Sequence, residues 1–287
     1  MRASWWVRAL AALPLRALHV LASVFAWFAC GPAPYRPKVV RHNLTLAFPD
    51  FDPDSIKRLM CRFYAAYADV MFEIVKGARL SPHDLRQRVV FLNMPLAREW
   101  LARGKPVLLM AGHQCNWEWL LLALSDALGY PLDAAYKPLV NPWADREMRA
   151  LRARLGAHLV PAQDLLASVI QRRQIVRAIA LVADQEPVAS ERRHWTRFLN
   201  RDSAFFVGAE EIVRKTRYPA LFVGMRRLGR GRYEAYFEPL CESGEQLAPG
   251  ELTERYARRV ERQIRDAPAD WTWSHKRWKL RKSVYDS

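Results

Sequence analysis

The chain has 287 residues, a length that suits one large domain or two small ones. Its apolar content of 51% excludes a disordered protein, and 45 Lys and Arg residues against 29 Asp and Glu give a formal net charge of +16. Such a charge attracts nucleic acid, anionic lipid headgroups or an acidic partner protein. The sequence has no basic tail, zinc-finger spacing or RNA-binding motif, which favours lipid over nucleic acid.

The N-terminal stretch MRASWWVRALAALPLRALHVLASVFAWFAC combines two early arginines with a long apolar run. It resembles a signal peptide, but no small-residue cleavage site follows, so we expect the stretch to be retained. Pro14 and Arg16 interrupt the run, which leaves two options: a marginal membrane span or a helix in the interface. Tryptophan suits an interface, and the basic residues that follow can contact anionic headgroups. We therefore predict a membrane-anchoring helix in residues 1–31 and a catalytic domain in residues 32–287.

The four cysteines are Cys30, Cys61, Cys115 and Cys241, with neither a CxxC pair nor regular spacing. This pattern predicts a reducing compartment without a disulfide framework. It also gives no sign of a structural zinc site.

Hydrophobic periodicity predicts helices that alternate with strands along the rest of the chain. Apolar residues recur every three or four positions from 53 to 76, which predicts a helix capped by Asp52 or Asp54. Further helices are predicted at 95–103, 117–128, 141–155, 165–173, 208–216 and 252–265. Strands are predicted at 106–111, 132–136 and 175–183, followed by a hairpin of 218–226 and 232–238. The alternation predicts one α/β domain with helical additions.

The stretch GHQCNWE, residues 112–118, follows a buried strand directly, where α/β proteins place ligands. Gly112 permits a tight turn, and His113 in that turn can reach Glu118 in the first turn of the next helix. A carboxylate that contacts an imidazole fixes its tautomer and leaves the other ring nitrogen free as a general base.

Two other interpretations of this stretch stay open. His113 can be an ordinary residue at a helix start that has Asn116 as its N-cap. Cys115 can be a nucleophile that forms a thioester, although its separation of two residues from His113 is awkward for a direct pair. A buried structural cysteine is the better expectation.

Polar residues also follow the other two predicted buried strands. Lys137 lies after the second strand, and Asp184 and Gln185 lie after the third. Three polar loops at carboxyl ends of strands indicate a shared site. The alternatives are a surface charge for Lys137 and a turn-capping role for Asp184.

Five segments together resemble the lauroyl/myristoyl acyltransferase family of lipid A biosynthesis. GHQCNWE is similar to the H-x4-D/E motif of glycerolipid acyltransferases, in the GHxxNWE form. The other segments, in family order, are HNLTLAFP at 42–49, YKPLVNP at 136–142, VADQEP at 182–187 and WSHKRWK at 273–279. The resemblance spans nearly the whole chain and implies a mixed central sheet flanked by helices.

The resemblance implies an enzyme at the cytoplasmic face of a bacterial inner membrane. It would transfer a fatty acyl chain from acyl carrier protein or CoA to a hydroxyl of a lipid A precursor. His113 would be the general base, oriented by Glu118, and no metal or other cofactor is expected. The implied substrate-binding residues are Asn116, Lys137, Asp184 and Gln185.

Arginines near the second segment are expected to contact an acidic carrier protein or the phosphates of an anionic glycolipid. They are Arg146, Arg149, Arg152 and Arg154. We count Arg154 among the predicted substrate-binding residues. A solvated helix face is the alternative for the whole cluster.

Two departures from the family pattern leave the acceptor open. Lys137 stands where the family usually has Arg, and Phe198-Leu-Asn stands where F-F-G is common. Another glycolipid, a lysophospholipid or an amino-acid lipid is therefore an alternative acceptor. An alternative of another class is a basic protein that binds membranes or nucleic acid without turnover.

Overall fold

The computed structural model describes residues 4–188 and 192–282. Within them the helices are α1 (Trp5–Ala12), α2 (Leu15–Cys30), α3 (Pro37–Ala47), α4 (Pro53–Gly77), α5 (Pro82–Arg88), α6 (Met94–Ala102), α7 (Trp117–Ala127), α8 (Pro142–Arg152), α9 (Leu165–Gln171), α10 (Gly208–Thr216) and α11 (Glu251–Asp266). The strands are β1 (Val89–Phe91), β2 (Val107–Ala111), β3 (Leu132–Tyr136), β4 (His158–Pro161), β5 (Ala178–Val182), β6 (Arg193–Phe198), β7 (Arg201–Phe206), β8 (Ala220–Gly229) and β9 (Arg232–Cys241).

A mixed sheet has the strand order β1-β9-β8-β2-β5-β3-β4. Strands β2, β3, β4, β5 and β8 run parallel, whereas β9 is antiparallel to β8 and parallel to β1. Strands β6 and β7 pair separately as an antiparallel hairpin. The expected mixed central sheet flanked by helices is confirmed.

Strand β2 lies between β5 and β8, and all five of its residues are buried. Leu108 and Met110 enter one core with α4 and α11, whereas Leu109 and Ala111 enter the other core with α6 and α7. Alternate residues of a strand point to opposite faces of the sheet, and here helices cover both faces. Because both faces of β2 are buried, its sequence is a continuous apolar run rather than an alternation of apolar and polar residues.

The long helix α4 begins where its capping residue satisfies a free backbone N–H. The carboxylate of Asp52 accepts a hydrogen bond from the N–H of Ser55 at 2.6 Å, so Asp52 rather than Asp54 is the N-cap. The helix then buries a stripe of apolar side chains, among them Ile56 and Phe63, in the core. With 25 residues, the helix is long enough for both N-terminal helices to pack against it.

Helices α1 and α2 pack on α4. Leu18 and Ala22 are fully buried in that contact, and Nε2 of His19 lies 3.0 Å from Oε1 of Glu73. Exposed apolar residues cover the outer face of α2: Val20, Leu21, Val24, Phe25, Trp27 and Phe28. Among residues 4–188 and 192–282, no single helix is long and apolar enough to cross a membrane, and α1 with α2 qualifies only as a pair bent by 105°.

Cys30 at the end of α2 and Cys61 in α4 form a disulfide, with their Cα atoms 5.1 Å apart. The expectation that the chain lacks disulfides is therefore wrong for this pair. The two residues are 31 positions apart, and only the packing of α2 on α4 brings them together. Cys115 and Cys241 are free and buried.

Candidate active site

The carboxyl ends of β2, β5 and β3 lie side by side at one edge of the sheet. Residues 112–116 follow β2, the DQ segment follows β5, and Lys137 follows β3. In parallel sheets this edge is where ligands bind. The structure therefore brings together the three polar loops that the sequence indicates.

The turn after β2 does not use Gly112 in the way that we expected. The positive φ in this loop belongs to Cys115, at 54°, whereas Gly112 is not among the glycines with positive φ. A Cβ at Gly112 would lie 3.3 Å from Oδ2 of Asp184. Glycine at this position lets the Asp184 carboxylate approach the backbone closely.

His113 is paired with Asp184. Nδ1 of His113 lies 2.5 Å from Oδ1 of Asp184, and the backbone N–H of His113 donates to Oδ2 at 2.8 Å. Asp184 is 0% exposed. Burial opposes its ionisation, but the charge of His113 and hydrogen bonds from His113 and Trp271 lower the pKa of Asp184 to about 2.

The low pKa of Asp184 determines the tautomer of His113. An ionised carboxylate only accepts hydrogen bonds, so Nδ1 of His113 carries the proton and donates it. The other ring nitrogen, Nε2, is then an acceptor, and the side-chain amide of Gln185 donates to it over 3.2 Å. The His113 side chain is 20% exposed. In the neutral imidazole, Nε2 is thus the acceptor nitrogen, on a side chain that is partly exposed.

Glu118 does not make the contact with His113 that we expected. Its Oε1 accepts from Nη2 of Arg152 at 2.5 Å and from the indole N–H of Trp117 at 3.1 Å, and its Oε2 accepts from Nε of Arg152 at 2.9 Å. The imidazole is held by Asp184 instead. Among the described residues, the link between Glu118 and His113 is Trp117, whose ring meets the imidazole edge-on at 5.1 Å between centroids.

Asn116 is the N-cap of α7 and is fully buried. Its Oδ1 accepts from the backbone N–H of Trp119 at 3.0 Å, and its amide donates to Oε2 of Glu73 at 3.0 Å. Oε2 of Glu73 also accepts from the hydroxyl of Tyr233 at 2.5 Å. Asn116 thus fixes the start of the helix that follows His113.

The two remaining predicted binding residues lie in different surroundings. Lys137 is exposed at the same edge of the sheet as His113. Arg154 lies beyond α8, is partly buried and donates to the carbonyl of Leu80 at 2.6 Å. Burial lowers the pKa of Arg154. The contact with Leu80 supports a structural role for Arg154.

The expected arginine cluster around α8 is largely engaged within the protein. Arg152 binds Glu118, and Arg149 lies 5.6 Å from the ring of Tyr136 and 3.9 Å from Asp145. Only Arg146 of the four is exposed without a recorded partner among the described residues. The solvated helix face that we considered as the alternative describes Arg146, and in part Arg149, whose side chain is 44% exposed.

Cys115 has the surroundings of a structural cysteine. Its thiol is fully buried and lies 3.5 Å from the carbonyl of Met225. Burial raises the pKa of the Cys115 thiol well above its usual range, which disfavours the thiolate that a nucleophile needs. Across the described part of the chain, no group of three or more His, Cys, Asp or Glu side chains could hold a metal ion.

The contribution of residues 267–275 to the site was not predicted from the sequence. Trp271 donates from its indole N–H to Oδ2 of Asp184 at 2.8 Å, and the Thr272 hydroxyl donates to the carbonyl of His113 at 3.0 Å. His275 also lies near the pair: burial first, and then the charge of His113, lower the pKa of His275 to about 4. The WSHKRWK segment is the one sequence signal near these residues, and it does not include Trp271.

A histidine paired with a buried carboxylate thus lies at the carboxyl ends of the parallel strands, where α/β proteins bind their ligands. The family described as bacterial lipid A biosynthesis acyltransferase matches residues 3–280, and the chain belongs to this family. A lipid A biosynthesis acyltransferase of Haemophilus influenzae is 21% identical over 248 residues, which cover 85% of this chain and 76% of that protein. The resemblance seen in the sequence is confirmed, and the protein is an acyltransferase of the lipid A biosynthesis type.

Proposed function

We propose that the protein transfers a fatty acyl chain from an acyl thioester to a hydroxyl of a lipid A precursor, with His113 as the general base. The observation that carries this proposal is the His113–Asp184 pair, in which Nδ1 faces the buried carboxylate and Nε2 is left for the acceptor hydroxyl. The family supplies the acyl-transfer chemistry and the lipid A pathway.

The proposed reaction has two steps. Nε2 of His113 takes the proton of the acceptor hydroxyl while the oxygen attacks the thioester carbonyl and a tetrahedral intermediate forms. The C–S bond then breaks, and the imidazolium returns the proton to the leaving thiolate. The acyl group is bound to the acceptor oxygen, and no covalent acyl-enzyme forms.

Asp184 has the orienting role in this scheme. It holds Nδ1–H of His113 and stabilises the imidazolium that forms when Nε2 is protonated. Glu118 supports the imidazole indirectly: it accepts a hydrogen bond from Trp117, and the Trp117 ring contacts His113. The Gln185 amide, which now occupies Nε2, is replaced by the acceptor hydroxyl. Lys137, exposed at the same edge, supplies a positive charge for an anionic acceptor.

A small cleft lies next to Trp117 and Trp271, the side chains that contact His113 and Asp184. It is walled by α4, Cys115, Trp117 and residues 269–272. Phe63, Ala66, Tyr67 and Val70 are the α4 residues in this wall. The cavity volume of ≈ 10 Å³ has room for about one water molecule, so an acyl chain that binds here requires the cleft to widen.

We propose that the protein binds the cytoplasmic surface of the bacterial inner membrane through α1 and α2. The outer face of α2 exposes Phe25 by 60% and Trp27 by 65%, and Trp5 of α1 is 80% exposed. Since α1 and α2 meet at 105°, a pair of helices in the interface suits this geometry better than a straight span. Trp6 stacks on Trp143 of α8 at 4.9 Å, which brings the helix pair next to the loop after Lys137.

The donor is proposed to be acyl carrier protein, with CoA as the alternative. A net charge of +16 favours an acidic carrier, because opposite charges steer two proteins together. The test is to incubate the purified enzyme with a lipid A precursor and either donor and to weigh the lipids by mass spectrometry. We expect a gain of one acyl chain, faster with the carrier protein. If only an added phospholipid or amino-acid lipid gains an acyl chain, the proposed acceptor is wrong. If no lipid is acylated at all, the result contradicts the proposal.

A further inference from the structure

The segment that precedes the WSHKRWK motif lies along the His113 loop. The N–H of Cys115 donates to the carbonyl of Asp270 at 2.9 Å, and the side-chain amide of Gln114 donates to the carbonyl of Ala267 at 3.0 Å. Gln114 also forms an antiparallel bridge with Trp271. The loop that carries His113 is therefore ordered by residues more than 150 positions later in the chain.

Among the described residues of this segment, Trp271 is the one that donates a hydrogen bond to the carboxylate of Asp184. Its Nε1–H donates to Oδ2 at 2.8 Å, and Oδ2 also accepts the backbone N–H of His113. Oδ1 is left for Nδ1 of His113. Since Asp184 is fully buried, no water replaces a lost donor without a rearrangement of the site.

The indole of Trp271 is itself held in place. It is 3% exposed and meets the rings of Trp273 at 4.8 Å, Trp278 at 6.2 Å and Phe198 at 6.3 Å, all edge-on. Edge-on contacts between rings have a preferred geometry, and three of them leave the indole little freedom to turn. The direction of the N–H is therefore fixed before substrate binds.

We infer that Trp271 is a positioning residue for acyl transfer: its indole N–H fixes the rotation of the Asp184 carboxylate, and Asp184 in turn holds His113 as the base. Two donors on Oδ2, from Trp271 and from the His113 backbone, direct Oδ1 towards Nδ1 of the imidazole. This inference rests on the proposed function, because it assigns Trp271 a part in that reaction and no contact with substrate.

Other charged and titratable groups act on Asp184 and must be separated from Trp271. His275 and Arg277 approach it from the C-terminal segment, and Tyr256 approaches it from α11. None of the three donates a recorded hydrogen bond to its carboxylate among the described residues. Loss of the Trp271 N–H therefore raises the pKa of Asp184 while these charges stay in place.

The test is Trp271→Phe, with Trp195→Phe as the matched control. Trp195 of β6 is buried as well, but among the described residues its indole N–H has no hydrogen-bond partner. We expect Trp271→Phe to lower kcat by about 10- to 100-fold with KM unchanged, as for other residues that orient a functional group through a hydrogen bond. Trp195→Phe keeps the wild-type kcat and KM.

A double variant shows whether Trp271 acts through Asp184. In an Asp184→Asn background, Trp271→Phe should cost little more, whereas a general packing role would cost the same in both backgrounds. If Trp271→Phe does not fold, 3-benzothienyl-alanine at position 271 removes the N–H and keeps the ring size. Wild-type kcat in either N–H-deficient protein, or equal losses in Trp271→Phe and Trp195→Phe, would overturn the inference. Wild type and His113→Ala in the same assay test the proposed function separately, whatever Trp271→Phe does.

Discussion

Glu118 and Arg152 form a two-point ion pair, with Oε1 2.5 Å from Nη2 and Oε2 2.9 Å from Nε. Glu118 is 3% exposed, so the pair is largely shielded from solvent. The carboxylate of the H-x4-E motif therefore ties α7 to the end of α8, and the carboxylate that meets the imidazole comes from Asp184. Glu118 and Asp184 are both acidic residues of family motifs, but they have different partners in the fold.

The two carboxylates should therefore differ in their effect on catalysis. We expect Asp184→Asn to lower kcat by about 100- to 10,000-fold, because the amide no longer holds the required tautomer of His113. Glu118→Gln should cost about 10-fold or less, since it touches the ring only through Trp117. Steady-state kinetics of both variants measure this difference. A larger loss in Glu118→Gln than in Asp184→Asn would show that Glu118 is the orienting carboxylate.

The same ion pair should matter for stability. Arg152→Met leaves the buried Glu118 carboxylate without its main partner, which we expect to cost about 3 to 5 kcal/mol of unfolding free energy. Arg103→Met is the control, because Arg103 pairs with Glu99 while both side chains are more than half exposed. Urea unfolding at neutral pH compares the two variants. Equal small losses would mean that the Glu118–Arg152 pair is as solvent-screened as the control pair.

Buried Glu73 should be the most sensitive carboxylate in the N-terminal half. It accepts from Asn116 and Tyr233 and lies 3.0 Å from His19, which links α2 to the start of α7. We expect Glu73→Ala to cost about 3 to 5 kcal/mol of unfolding free energy, because three buried polar groups lose their partner. Glu73→Gln, which keeps acceptor and shape, should cost less. Urea unfolding measures both, and an unchanged midpoint for Glu73→Ala would refute this role.

His275 should make the fold sensitive to acid between pH about 6.5 and 4. Its folded-state pKa is lowered to about 4, mainly by burial, from an unfolded value near 6.5. Between these values the unfolded chain binds the proton and the folded chain does not, so stability falls as the pH falls through this window. His275→Gln removes this dependence. Denaturant unfolding at pH 7 and pH 4.5 should show a smaller difference for the variant than for wild type.

Membrane binding should depend on the outer face of α2. We expect Phe25→Ser with Trp27→Ser to weaken binding to anionic vesicles by about 10-fold or more, because both exposed rings lose apolar area to bury. Ile170→Ser with Ile175→Ser is the control, since these residues are also exposed but lie at and beyond α9. Vesicle co-sedimentation measures all three proteins. Equal binding of the two double variants would exclude α2 as the docking face.

Local patterns made most of the elements predictable. The apolar run of β2, the start of α7 at Asn116 and the stripe of α4 all depend on residues close together in the chain. Helix α3 was not among the predicted helices. Its first residue is Pro37, at a position where the missing N–H costs nothing.

The partners within the site could not be predicted from spacing. Asp184 lies 71 positions from His113 and Trp271 lies 87 positions from Asp184, so only the sheet order and the return of the C-terminal segment bring them together. Gly112 was predicted for the wrong reason: it gives Asp184 room, whereas the positive φ belongs to Cys115. The Cys30–Cys61 disulfide was missed because it depends on the packing of α2 on α4.

The most direct test of the account is a single-turnover assay of wild type, His113→Ala and Cys115→Ser. Each enzyme is incubated with acyl-loaded carrier protein and a lipid A precursor, and the lipids are weighed by mass spectrometry. We predict that wild type and Cys115→Ser add one acyl chain and that His113→Ala is slower by about 100-fold or more, because general-base catalysis is lost. Transfer by His113→Ala at the wild-type rate, or loss of transfer in a folded Cys115→Ser, would contradict the mechanism.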